Sequence, residues 1–160
     1  MKKIVVVFMC FILMSISLYA DDSMKVKAEN IEVDVPVSWL AQYTKSPQIF
    51  FLFSPLEKGD NFQENGNLMK EAVRGKSSLK NYMDESVKAL KTVYKELKIE
   101  ETGTNYHILS GILNNIRVKQ IQYLYIKDNN IYILTFTATP ESFAKFSGVF
   151  KKIAESLKIN

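Results

Sequence analysis

Few side chains in this chain are suited to catalysis or ligation. His107 is the only histidine. It would act as a base, a nucleophile's partner or a metal ligand only where other groups converge on it. On the pattern around it, it reads as a polar position on a half-exposed strand. There is no Gly-x-Ser-x-Gly elbow, no His-Glu-x-x-His pair and a single cysteine, Cys10, so no nucleophile motif or zinc ligand set presents itself. Asp60 and Glu64 share a loop and could meet calcium, but the spacing of an EF-hand is absent. Asp128-Asn129-Asn130 is explained by a turn, and Glu100-Glu101 by a solvated edge at a helix end. No catalytic, metal or cofactor residue is assigned.

Two constellations suggest binding. Arg117, Lys119, Tyr123, Tyr125 and Lys127 place basic and aromatic side chains together, as a nucleic-acid stripe does. Alternation puts Arg117, Lys119 and Tyr123 on one strand face, where long basic stems can cover apolar surface. A solvated sheet edge and a partner-binding face are the two readings. Phe143, Phe146 and Phe150 recur at helical spacing, which is first a core stripe and second a pocket wall.

The elements that must carry these residues follow from periodicity. Ile31–Val35 alternates apolar with acidic residues and follows a short strand around Met24–Ala28, predicting a first hairpin that Pro36 ends. Val37–Leu40 begins a turn carrying Trp39. The run Ile49–Phe53, between Pro47 and Pro55, fits a strand buried on both faces. Leu56–Gln63 reads as a loop, and Asn65–Val73 as a weaker strand with a bulge at Gly66. Ser77 or Ser78 can cap a helix over about 79–98, whose apolar stripe is Leu79, Met83, Val87, Leu90, Tyr94 and Leu97. Tyr106–Leu109 is a short strand ended by Ser110-Gly111. Ile116–Ile126 and Ile131–Thr139 form a hairpin around Lys127–Asn130. Thr139, Pro140 and Glu141 then open a last helix with cap, first-turn proline and acid in order. Ile131 and Ile133 point one way and Tyr132, Leu134 and Phe136 the other, so both faces are apolar. The expected class is α+β: an antiparallel sheet flanked by two long amphipathic helices.

Composition agrees with an ordinary globular domain: 47% hydrophobic residues, 12% aromatics and 24% charged residues in 160, which excludes a disordered or low-complexity chain. The N-terminus stands apart. Lys2-Lys3, the apolar run Ile4–Met14 and a small residue at Ala20 match the three regions of a secretory signal, cleaved after Ala20. The run is shorter than a membrane span needs. Lipidation at Cys10 is set aside, since Phe8-Met9 precede it. The expected division is 1–20 signal and 21–160 one domain, exported to the periplasm or cell envelope, with secretion as the variant. That domain of 140 residues carries 19 basic and 17 acidic side chains, so the basic excess that suggested nucleic acid nearly disappears.

Several segments together resemble the PsbP/DcrB-like family of exported bacterial domains. They are Pro36-Val-Ser-Trp39; Ser54-Pro55-Leu56 with Asp60–Asn65 and Asn67; Ser78–Tyr82; Phe136–Phe143 with Pro140; and Ser156–Ile159. The set covers nearly all of 21–160 and departs at Gly66, where the family usually has an apolar residue. The resemblance implies an α/β/α sandwich and a scaffold used mainly for protein binding, in an accessory subunit of photosystem II and a nuclear-import factor that binds a small GTPase among others. It transfers no catalytic residue. Pro36, Trp39, Pro55, Asn65, Asn67, Tyr82, Pro140 and Phe143 carry the motif as architectural residues. The expected function is a non-enzymatic envelope domain that docks another protein, with no cofactor, no nucleic acid and no membrane span in the mature domain. The alternative is a carrier of a small apolar ligand held by Phe51, Phe53, Phe146 and Phe150. A hydrolase using His107 comes last.

Overall fold

A computed structural model describes residues 22–56, 58–59, 61–73 and 78–160. The signal segment with its cleavage position at Ala20, Cys10, Asp60 and Ser77 lie outside them. The element order is β1 (Ser23–Ala28), β2 (Ile31–Pro36), β3 (Leu40–Tyr43), β4 (Gln48–Phe53), β5 (Asn65–Ala72), α1 (Leu79–Val93), β6 (Lys95–Thr102), β7 (Tyr106–Leu113), β8 (Ile116–Lys127), β9 (Asn130–Ala138), α2 (Pro140–Ser156) and β10 (Lys158–Ile159). Antiparallel pairing builds a three-stranded sheet, β1-β2-β10, and a seven-stranded sheet, β3-β4-β5-β9-β8-β7-β6. The class is α+β, with two helices.

The local reasons are visible at the turns and caps. Asp128 and Asn129 both hold positive φ, as do Asn114 and Asn115. These are the residues that tolerate this region in the two-residue turns between β8 and β9 and between β7 and β8. Ser78 caps α1 by accepting from the Asn81 amide, and Thr139 caps α2 by accepting from the Ser142 amide, with Pro140 at its first position.

Three expectations are corrected. The first helix ends at Val93, not near 98. Tyr94 is already extended, and Lys95–Thr102 pairs with β7. Leu97 and Ile99 alternate with charged residues at the strand period, and sheet pairing satisfies the backbone that a longer helix would have used. Glu100 and Glu101 are therefore strand residues. Second, β7 continues through Ser110-Gly111 to Leu113. Third, Gly66 is not a bulge: the register of β5 runs unbroken past it, and the irregularity lies between Gln48 and Phe50 of β4. Gly66 sits against a ring instead. A Cβ placed there would lie 2.6 Å from Cδ1 of Phe136, too close for any side chain.

The main core joins α2, the small sheet and one face of the large sheet. Phe150 is fully buried, stacked on Phe136 at 4.8 Å between ring centres and met edge-on by Trp39 at 6.3 Å and Phe143 at 6.1 Å. Tyr132, Leu134 and Phe136 belong to this cluster. Ile131 instead packs with Met83 of α1 and Leu124, with Ile133 beside them. A third cluster gathers Tyr94, Leu109 and Val118 under Leu90 and Phe62.

Candidate functional site

Strand register sorts the candidate residues into two faces. One cross-sheet row reads Phe51–Asn67–Thr135–Gln122–His107–Thr102. A row on the opposite face reads Phe50–Leu68–Leu134–Tyr123–Tyr106. Phe51 and Phe53 thus occupy the face opposite the one that packs on Phe150. The four-phenylalanine pocket cannot be assembled: Phe146 and Phe150 are spent on each other and on Trp39, while Phe51 and Phe53 stack on one another.

His107 is buried, not half-exposed: 3% of it is accessible. Its Nδ1 lies 3.0 Å from the Thr102 hydroxyl and its Nε2 is buried without a hydrogen-bond partner. Burial pushes the imidazole pKa down, against smaller opposing effects of the Met83 backbone and the Asp84 charge. Glu64 is also buried; Ser54 Oγ donates to its Oε2 at 3.3 Å. Among the described residues, no three His, Cys, Asp or Glu side chains gather as metal ligands.

The basic stripe is occupied residue by residue. Arg117 bonds Glu96 at 2.7 Å. Lys119 pairs with Glu100 at 2.5 Å and lies over the Phe143 ring, and its ammonium holds the Glu100 carboxyl below the usual carboxylate range. Lys127 donates to the Ile159 carbonyl. The motif residues are dispersed. Trp39 and Phe143 seal the Phe150 cluster, and Pro36 closes β2. Pro55 is exposed, Asn65 Nδ2 donates to the Gln63 carbonyl at 3.0 Å, and Asn67 is half-buried between Phe51 and Thr135. The Tyr82 hydroxyl donates to Glu71 at 2.6 Å, and burial first, then that carboxylate, raises the phenol's pKa.

What the structure does bring together is a groove of about 590 Å³ between α2 and the β7–β8 hairpin. Its sheet wall is Tyr106, Ile108, Ile121, Tyr123 and Tyr125. The apolar rows under α2 end here in tyrosine, an apolar ring with a polar tip suited to a surface that is sometimes covered. Its helix wall presents Ser147, Gly148, Lys151 and Glu155. A Cβ at Gly148 would meet nothing within 4 Å, so the missing side chain leaves the groove wide. Tyr106 and Tyr123 tilt against each other with ring centres 5.8 Å apart. The Tyr106 hydroxyl donates to Glu101, and that of Tyr125 to the Ala154 carbonyl at 3.1 Å. Burial, then the charges of Glu155 and Glu101 and the neighbouring Tyr106, push the Tyr123 phenol up to about 12. Burial, then Tyr123 and Glu155, does the same for Tyr125, also to about 12. All three phenols stay protonated near neutral pH, and those of Tyr106 and Tyr125 already donate within the protein. A smaller recess of about 210 Å³ lies between Asp34, Pro36 and Ile153.

Tyr123 and Tyr125 belong to the stripe that the sequence reads as a solvated sheet edge or a partner-binding face, whereas Tyr106, Gly148, Lys151 and Glu155 are not singled out as site residues by the sequence. The available signal was the i, i+3, i+7 line Gly148, Lys151, Glu155: a helix face with neither bulk nor apolar character beside an aromatic-rich hairpin.

No protein-family model matches the chain, and no curated protein matches it by sequence. Solved structures do. The solution structure of cyanobacterial PsbP (CyanoP) from Synechocystis sp. PCC 6803 aligns with TM-score 0.56 at 9% identity, covering 90% of this chain and 96% of that one. The Saccharomyces cerevisiae Ran-binding protein Mog1p aligns with TM-score 0.57 at 11% identity over 86% and 95%. LpqN, involved in cell envelope biogenesis of Mycobacterium tuberculosis, aligns with TM-score 0.52 at 14% identity over 87% and 91%. Such identities speak to fold alone, and on these alignments, which span most of both chains, this chain has the PsbP-like fold that CyanoP, Mog1p and LpqN share.

Proposed function

We propose that the chain is an exported, non-enzymatic envelope domain that docks another protein through the tyrosine-lined groove. In this reading residues 1–20 are the signal removed after Ala20, and 21–160 form one α/β/α sandwich whose helices cover opposite faces of the large sheet. Pro36, Trp39, Pro55, Asn65, Asn67, Tyr82, Pro140 and Phe143 serve that architecture. Export is supported by the order of basic, apolar and small residues in 1–20 and by the likeness to LpqN, which is involved in cell envelope biogenesis. Among the described residues no helix is long and apolar enough to cross a membrane. Protein binding is supported by the likeness to Mog1p, a Ran-binding protein.

The observation that carries the reading is the groove itself: three tyrosines and an apolar floor held open beside a glycine, with His107 on the other face of the sheet. Tyrosine supplies large contact area at small entropic cost, which is why interfaces favour it. The volume lies within the range of small-ligand pockets, roughly 300–1,000 Å³, but the groove opens along the side of α2, which suits an extended partner better than an enclosed ligand. A photo-crosslinking residue at Ser147, in the protein expressed in its own envelope, should trap one defined partner. Gly148→Met, which fills the open space without touching the core, should abolish that product while Gly148→Ala leaves it. A product unchanged by Gly148→Met places docking elsewhere.

A further inference from the structure

We propose that the docked segment is a basic one, and that an arginine of the partner seats its guanidinium against Tyr123 between Glu101 and Glu155; this rests on the groove being the docking face. The register puts Glu101, Ile108 and Ile121 in one cross-sheet row, so the Glu101 carboxylate stands on the groove's face at its β6 side. Glu155 stands on the α2 side. Tyr123 lies between them, and both carboxylates act on its phenol. The hydrogen-bond donor to Glu101 is the neutral phenol of Tyr106. Lys151 is the one cation among the groove's described lining residues, and it leans to Glu155 at 3.7 Å with two-thirds of its side chain in solvent. It therefore sits at the rim rather than over the rings.

The chain as a whole has more basic than acidic side chains, yet here two carboxylates and three ring faces converge. Ring faces attract cations, and guanidinium does so while also donating to carboxylates in its plane. A lysine would gain the charge but not the stacking. A purely apolar segment would bury Glu101 and Glu155 with only the Tyr106 hydroxyl and the rim Lys151 to offset them, and an acidic one would add repulsion.

The test is an NMR titration of the protein with three pentapeptides, acetyl-Ala-X-Ala-X-Ala-amide, where X is arginine, its neutral isostere citrulline, or glutamate. The arginine peptide should shift the rings of Tyr106 and Tyr123 and the amide of Gly148, with affinity about tenfold or more above the citrulline peptide. That advantage should shrink with added salt. Glu155→Gln and Glu101→Gln, both at exposed positions, should each weaken the arginine peptide several-fold and leave the Phe136 and Phe150 resonances in place, which shows that the fold is intact. If the citrulline peptide binds as tightly at the same residues, the cation preference is overturned and groove docking stands. If no peptide moves the groove resonances and Gly148→Met leaves the cross-linked product unchanged, both readings fall.

Discussion

The two faces of the large sheet are built differently. On the Phe136 face, one continuous cluster runs from Val26 of β1 through Phe50, Leu68 and Phe136 to Ile153 of α2. On the His107 face, two small clusters around Met83 and around Tyr94 are held apart by a polar band of Gln120, Gln122, Thr135 and Thr137, all buried. That band is hydrogen-bonded rather than packed: the Tyr94 hydroxyl donates to Gln120 Oε1 at 2.6 Å, and Gln120 Nε2 donates to Thr137 at 2.7 Å. Met83 is the one buried residue of α1, against four in α2. The apolar capacity of the chain is therefore concentrated on one side. The groove lies at the margin of that dense side, where a rigid floor can present rings without being deformed by what binds.

The largest effect should come from removing a ring on the dense face. Phe150→Ala deletes a side chain stacked or edge-packed against four aromatic rings, Trp39, Phe136, Phe143 and Phe146, and should cost about 3–5 kcal/mol of unfolding free energy, whereas Met83→Ala should cost about 2 kcal/mol, at the low end for its type. Urea unfolding of both variants gives the two values. Equal losses would mean that α1 is gripped as firmly as α2, and the contrast between the faces would be wrong. Gly66→Ala should follow, costing about 1–3 kcal/mol as an overpacking change, because the new methyl collides with a ring fixed by Phe150. A neutral outcome would show that the Phe136–Phe150 stack has room to shift.

The dense face was largely legible from the sequence. The alternation in Ile31–Val35 and the split of Ile131 and Ile133 from Tyr132, Leu134 and Phe136 place side chains without knowledge of the fold. So do the Thr139-Pro140 helix start and the Phe143–Ile153 stripe. The polar face was not, because Gln120, Gln122 and His107 look like solvent-facing positions until strands on both sides bury them. The end of α1 was hidden by a coincidence of periods: Leu90, Tyr94 and Leu97 fit a helix, while Leu97 and Ile99 fit a strand, and only pairing with β7 decides between them. The groove was invisible for another reason. Its walls, Tyr106, Tyr123 and Glu155, are far apart in the chain, and its width depends on a side chain that Gly148 lacks.

His107 offers the smallest and most specific probe of the contrast. It faces Thr102 of β6, Gln122 of β8, and Met83 and Asp84 of α1. Asp84 favours the charged imidazole but is itself engaged by Lys80 at 2.8 Å in solvent, and burial outweighs it. The folded-state pKa is therefore lower than that of the unfolded chain, near 6.5. As pH falls below that value the unfolded chain takes up a proton that the folded protein refuses, so stability must fall. The loss levels off once pH passes the folded-state value. Urea midpoints at pH 7.5 and 5.5, compared between wild type and His107→Gln, should show a larger acid loss in the wild type, with the difference confined to this window. Identical acid losses would mean that water reaches His107 Nε2, and that the His107 face is a wet seam beneath α1 rather than a second, polar core.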